Sequence, residues 1–473
     1  MASPNISFDS IPSSIRKPGK YIEFNTKLAV RTLPGNLQKL VLIGQRLATG
    51  SVLAGVPTDV FSDADAGAFF GRGSHLHSMA AAALAANPYL QLSCVALDDA
   101  VGTAASCTVT FTGTATAAGT ITLWIADCRV DLPVSVGDTA ATEATALKAA
   151  LDALPDLPVS AIAAAGVVTL TAKNKGTLGN QIKVSASAWQ ATGLTVVATP
   201  MAAGATDPDL QTALSAIFSA GHHVIGTSLN DSANLTKLRT HLDNVSAALE
   251  QRGAVAAYGF TGTLAASTTL ATTINSGRIT CALLPGTISL PWEVAAAYAA
   301  VIAFEEDPAR PLNTLALTGI VAPPLANRLG RTEQENALNN GVTPLEVGPG
   351  EKVHIVRAVT TYTKDPQGII DISLFDLTTI RTLDYVRRAC RDRISLRFPR
   401  EKLSQRTAPR VWSELFDVLT KLEELEIVEL VTENKGKLLV ERDSQDPNRL
   451  NARIPCDVVN GLHVFAGRID LYL

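Results

Sequence analysis

Apolar and polar positions follow two different periods along this chain, and the changes between them mark its parts. Near the N-terminus Ile6 and Phe8 alternate with Ser7 and Asp9, the period-2 signature of a short strand, punctuated by Pro4, Pro12 and Pro18. Such a strand has no core of its own and needs a sheet to join. Residues 39–44 (KLVLIG) form a short apolar run typical of a buried strand. His75–Ala86 is an alanine-rich helix that Asn87-Pro88 ends, and 90–97 is a further strand.

From about residue 98 to 207 the texture changes to Thr, Ala, Gly and Val. Cys107, Val109 and Phe111 alternate, as do Ile121, Leu123 and Ile125 after Ala118-Gly119, which predicts hairpins. Residues 142–154 read as one helix, and 166–172 and 181–187 as two strands around a turn at 173–179. The segment predicts a small, β-rich α+β domain inserted in a loop of the main body.

Between about 209 and 307 strands and helices take turns. The runs 222–226 (HHVIG), 254–260 (AVAAYGF) and 278–285 (RITCALLP) are strands, and 234–251, 264–275 and 291–306 are helices between them. Leu235, Leu238, Leu242, Val245 and Leu249 make an apolar stripe that faces a sheet. Strands joined by helices of this length require right-handed crossovers and give a parallel, doubly wound sheet.

The C-terminal part opens with a helix at 380–398, whose Leu383, Val386, Cys390 and Ile394 fall at helical spacing under a fringe of arginines. A second helix at 409–422 places Val411, Leu415, Val418 and Leu422 on one side. A hairpin is predicted from 427–432 and 438–442 around a turn at 434–436. Residues 462–473 read as a closing strand, with Phe465, Ile469, Leu471 and Leu473 on one face and Arg468 and Asp470 on the other. The fold class expected is a multidomain α/β and α+β chain. It has an arm at 1–20, a central α/β domain at 21–97 and 208–355, the insert at 98–207, an α+β domain at 356–461 and a strand arm at 462–473.

Length supports several cores, since 473 residues exceed what one hydrophobic core usually serves. With 47% hydrophobic and 18% charged residues and a net charge of −4, the chain is neither a disordered polymer nor a basic nucleic-acid binder. It contains no apolar run of bilayer-spanning length, and residues 1–20 lack the apolar centre of a signal peptide, so a soluble, cytoplasmic chain is expected. The six cysteines are scattered without C-x-x-C or a histidine at zinc-ligand spacing, and read as free thiols. Lys and Glu are sparse from about 52 to 220 and dense, with Arg, from 381 to 473, which suggests different surfaces for different tasks.

Candidate chemistry is thin. Gly71-Arg72-Gly73-Ser74 before the 75–86 helix offers backbone amides but lacks the Lys-Ser/Thr ending of a P-loop. His75 and His77 sit two apart on a helix, and His222 and His223 adjoin on a strand, so neither pair converges easily on one ion. Glu305, Glu306 and Asp307 crowd the C-terminal end of a helix, where the macrodipole disfavours negative charge; either a solvated turn or a site for a cation or another subunit's arginine follows. Gly259 and Gly262 end a strand without the full dinucleotide-binding pattern.

Five pieces of the chain, SIRKPGKYIEFN, LVLIGQR, GIVAPP, VRAVTTYTKDPQG and the closing GLHVFAGRIDLYL, resemble Mu-like phage tail sheath proteins. The resemblance covers most of the chain, and its specificity lies in their order and spacing around the inserted domain. It implies a non-enzymatic structural protein without cofactor, forming stacked, sixfold rings around a tail tube that contract to drive the tube into the host envelope. Implied partners are further copies of the chain, the tube, the baseplate and a tail terminator, with no direct contact to nucleic acid or membrane. The implied setting is the virion tail, assembled in the host cytoplasm.

In that family the terminal arms are lent to neighbours to complete a shared sheet, the inner domain comes largely from the C-terminal part, and inserted domains decorate the outside. The candidate interface residues are therefore Ile6, Phe8, Phe465, Ile469, Leu471 and Leu473, joined by Arg387, Arg388, Arg391 and Arg393. The arginines, with acidic residues near 423–429, are expected to make contacts that exchange on contraction. The alternative is an independent ligand-binding or enzymatic α/β domain at 209–307, with its site near Gly226, Gly259 and Gly286 at the carboxyl ends of the strands.

Overall fold

A computed structural model describes residues 16–22 and 33–472, organised around an eight-stranded sheet. The chain builds that sheet in two visits. The first lays down β1 (Lys39–Gln45), β2 (Pro57–Asp59), α1 (Asp63–Phe70), α2 (His75–Ala86) and β3 (Gln91–Leu97). An excursion follows through β4 (Ser106–Gly113), β5 (Gly119–Ile125), β6 (Cys128–Val134), α3 (Ala140–Asp152), β7 (Val159–Ala164), β8 (Val167–Ala172), β9 (Val184–Trp189) and β10 (Leu194–Ala198). The second visit supplies α4 (Gln211–Ile217), β11 (Val224–Thr227), α5 (Ser232–Ser246), β12 (Val255–Phe260), α6 (Leu264–Ile274) and β13 (Ile279–Leu283). It continues through α7 (Pro291–Phe304), α8 (Arg331–Asn339), β14 (Thr343–Val347) and β15 (Val353–Ile355).

The strand order is β15-β14-β13-β12-β11-β1-β3-β2, parallel from β14 to β3, with β15 and β2 antiparallel at the edges. Its winding reverses at β1, as in doubly wound sheets. Helices α2 and α7 pack together on one side, and α4, α5 and α6 on the other. Covered on both faces, Leu40, Val41, Leu42 and Ile43 are all 0% exposed, which is why the sequence shows an unbroken apolar run there. Helix α7 is buried nearly all round, so its sequence has no polar stripe. A Cβ on Gly259 would lie 2.0 Å from the carbonyl oxygen of Pro291, so only glycine lets the first turn of α7 sit on β12.

Helix α5 starts where Asp231 accepts a hydrogen bond from the Asn234 amide at 2.9 Å. Leu235, Leu238, Leu242 and Val245 are buried against the sheet as expected, but α5 ends at Ser246 and Leu249 stands 96% exposed. The expected stripe is one turn too long.

The inserted segment forms two antiparallel sheets, β10-β4-β8-β7 and β6-β5-β9, with α3 packed against β7 and β4. Strands β5 and β6 pair as a hairpin, but β4 belongs to the other sheet, so no β4-β5 hairpin forms. Alternation reports which residues face a core, and Cys107, Val109, Phe111, Ile121, Leu123 and Ile125 are indeed all buried; it does not report which strand lies alongside.

The last part contains α9 (Leu377–Arg397), α10 (Thr407–Glu424), β16 (Leu439–Arg442) and β17 (Leu450–Arg453). Val386 and Cys390 of α9 pack with Val411, Leu415, Val418 and Leu422 of α10 in a second core. The predicted partner of β16 is wrong: β16 pairs with β17, and 433–437 is a 3₁₀ turn. Ile427, Val428 and Val431 are buried in that second core, so their apolar run serves packing rather than a ladder. Residues 462–472, read from the sequence as a closing strand, form no strand in the single chain.

Candidate assembly site

Helix α9 faces the central sheet with a row of charged side chains. Arg381, Asp384, Arg388 and Arg391 recur at three, four and seven residues, the spacing of one helical face. Asp384 is the hub: it accepts from Arg278 at 2.6 and 3.1 Å and from Arg387 at 2.8 Å. Arg388 donates to the Gly35 carbonyl and the Asn36 side chain, each at 2.8 Å, and meets His223 Nε2 at 3.1 Å. Burial, reinforced by Arg388, pushes His223 down to about 4.

Arg381 answers the question raised by the acidic turn. One of its amino groups donates to the Glu305 carbonyl at 2.5 Å, so the cluster at 305–307 receives an arginine from its own chain. Burial lowers the Arg381 pKa to about 10, with Glu305 and Asp307 opposing that shift.

The four candidate arginines thus separate. Arg393 is 4% exposed and pairs with Glu414 at 3.1 Å and Asp417 at 2.6 Å, tying α9 to α10 inside the chain. Arg387 and Arg388 are held by Ser246, Asp384, Asn36 and His223, with part of each surface still exposed. Arg391 is the most open of the four; among the described residues it donates to Asp392 and to the Gln251 carbonyl at 3.2 and 3.3 Å.

The closing segment has a fixed root and a free end. Val459 N donates to the Ile427 carbonyl, and His463 Nδ1 lies 2.9 Å from the Asn313 amide nitrogen. His463 Nε2 is 3.7 Å from Asp376, which Arg357 already grips with two 2.8 Å hydrogen bonds. Beyond it, Phe465, Ile469 and Leu471 are 88%, 99% and 82% exposed. Ile6, Phe8 and Leu473 lie outside the described residues. Sequence reading missed Asp384, Arg278, Asp376 and His463; the helical recurrence of 381, 384, 388 and 391 carried the signal for the first.

The remaining candidates have structural occupations. Ser74 caps α2, accepting from the His77 amide at 3.1 Å, while Arg72 pairs with Asp156. His75 stacks on Trp292 with centroids 4.0 Å apart, and His77 bonds Asp63 at 3.0 Å. The glycines of the alternative site are filled by packing: Gly226 abuts Leu42, Gly259 the first turn of α7, and a Cβ on Gly286 would meet Asn327 at 2.3 Å.

Solved structures share this fold. A sheath tail protein from Desulfitobacterium hafniense matches with a TM-score of 0.53 at 15% identity, over 94% of this chain and 97% of its own. A sheath tail protein from Listeria innocua matches at 0.51 and 13% identity, over 91% and 94%. The sheath of an extracellular contractile injection system in its contracted state matches at 0.51 and 11%, over 98% and 99%. The architecture is that of the sheath proteins of contractile machines.

Sequence matches narrow this further. The family described as phage tail sheath protein central domain matches residues 203–361, and the phage tail sheath C-terminal domain matches 371–471. The Mu-like prophage FluMu tail sheath protein of Haemophilus influenzae is 34% identical over 487 residues, spanning 99% of this chain and all of that one. The chain belongs to the phage tail sheath family and is homologous to contractile tail sheath proteins.

Proposed function

We propose that this chain is the repeating, non-enzymatic subunit of a contractile tail sheath. Copies stack as sixfold rings around a tail tube, meet a baseplate and a tail terminator at the ends, and contract to drive the tube through the host envelope. The particle assembles in the host cytoplasm, without cofactor and without direct contact to nucleic acid or membrane. In this reading 356–461 is the inner domain, 98–207 an outward decoration, and the segments 1–20 and 462–473 are arms lent to neighbours.

The observation that carries the reading is the exposed closing segment. A chain end that presents Phe465, Ile469 and Leu471 to solvent, while its root is pinned at His463, holds apolar area in reserve for another surface. Among the described residues β16 and β17 pair only with each other, leaving an outer edge on each for strand addition. Each ladder hydrogen bond contributes about 1 kcal/mol net, no more than ordering one backbone residue costs. Burying each large apolar side chain at about 1.5–3 kcal/mol therefore decides whether the arm docks. Ile6 and Phe8 supply the same kind of face at the other end.

The test is to hold the full-length chain alone at high concentration and view it by negative-stain electron microscopy. Long hollow cylinders are expected. Compact monomers that persist when a tail tube nucleus is added would refute the reading.

A further inference from the structure

The charged face of α9 also borders a cavity. It has a volume of about 200 Å³ and lies between the segment before β1, the amino-terminal ends of β11 and β12, and α9. Its walls carry four arginines, Arg252, Arg381, Arg388 and Arg391, against one carboxylate, Asp384. That carboxylate is already committed: Oδ1 accepts from Arg278 and Arg387 and Oδ2 from Arg278, neither of which lines the cavity. Of the arginines that do line it, Arg252 pairs with Glu250 and Arg391 with Asp392, while Arg381 and Arg388 have no carboxylate partner among the described residues.

Three of the four keep a buried N–H without a partner among the described residues: Nε of Arg252, Nη1 of Arg381 and Nε of Arg388. Arg381 is only 6% exposed, with one amino group satisfied by the Glu305 carbonyl and the other by no described residue. Buried guanidinium donors are normally matched, because leaving one bare forfeits its hydration without return. Guanidinium groups approaching from separate elements suit a ligand with several anionic oxygens, each able to accept a charge-assisted bond.

We propose that this cavity binds a phosphoryl oxyanion. The anion is held by the guanidinium groups that line the cavity and fastens α9 to the amino-terminal end of the sheet, at the seam between the two cores. This site lies opposite the carboxyl ends where open α/β sheets usually hold ligands.

The test uses the full-length soluble subunit in chloride buffer and isothermal titration calorimetry with inorganic phosphate, beside sodium chloride at matched ionic strength. Expected are saturable phosphate binding at one site per subunit and at least tenfold weaker binding in Arg252→Gln and in Arg391→Gln. Arg391 is half-exposed on the helix surface, so its variant stays folded and testable even if Arg252→Gln does not. No saturable heat beyond the chloride control, or affinity unchanged in Arg391→Gln, would overturn the proposal. A parallel titration with ATP identifies the source of the phosphoryl group. ATP binding lost in Arg391→Gln supports the site with the group carried on a larger molecule, whereas ATP binding that survives the substitution, without phosphate binding, counts against it.

Discussion

Arg278 and Asp384 meet through a two-pronged ion pair, Nη1 to Oδ2 at 2.6 Å and Nη2 to Oδ1 at 3.1 Å, with side chains 13% and 17% exposed. The pair joins the residue before β13 to α9, and so links the central sheet to the helix that begins the C-terminal core. Removing one partner of such a pair strands the other's charge. Asp384→Ala is expected to destabilise the subunit by about 3–5 kcal/mol, because Arg278 and Arg387 both lose their carboxylate partner. Urea unfolding of the soluble subunit measures it.

Arg391 and Arg393 are two residues apart and should behave oppositely. Arg393→Met removes the buried tie to Glu414 and Asp417 and should cost about 3 kcal/mol or more in the isolated subunit. Arg391→Glu should leave that stability within about 0.5 kcal/mol while impairing ring assembly or contraction. Equal unfolding midpoints for both variants would show that this division of roles is wrong.

Gly259→Ala introduces a methyl group 2.0 Å from the Pro291 carbonyl oxygen, which can only move by lifting α7 off β12. The cost should exceed about 3 kcal/mol, as for severe overpacking of a close-packed interior. Loss of soluble expression, or a large fall in melting temperature, is the readout.

Stability should also depend on pH, with a sign fixed by buried neutral histidines. Burial pushes His75 down to about 3 and His223 and His241 to about 4. A base with a depressed folded pKa favours the native state above its unfolded value near 6.5 and loses that advantage as pH falls toward the folded value. Glu293 acts the other way: burial raises it to about 8, so its contribution is full below about 4.5 and fades as pH rises through 8. Below pH 6 the histidines outnumber it. The melting temperature should rise from pH 4.5 to 6.5 and then level or fall. His75→Phe should flatten the acid limb by about 1.4 kcal/mol per pH unit, one proton's worth.

Much of the central sheet was legible because its signals are strong and local. The run 39–44 is apolar because β1 is covered on both faces, and Leu235, Leu238 and Leu242 announce the face of α5, though not its start at Ser232. Partners were less legible. Nothing in the alternation of Cys107, Val109 and Phe111 states that β4 lies beside β8 and β10, and the buried run around Val428 looks like a strand until α10 covers it. The arginines of α9 were visible as a fringe, but their division into inward and outward members depends on Asp384, Glu414 and Asp417, which only the packing of three elements brings near.

The central claim is that the chain assembles by lending its closing segment to a neighbour. The direct measurement is negative-stain electron microscopy of the intact chain beside a version ending at Asn460 and the point variant Ile469→Asp, all at the same concentration. The account predicts hollow cylinders from the intact chain, and folded monomers without cylinders from the other two. Cylinders of normal length from the chain ending at Asn460 would contradict it.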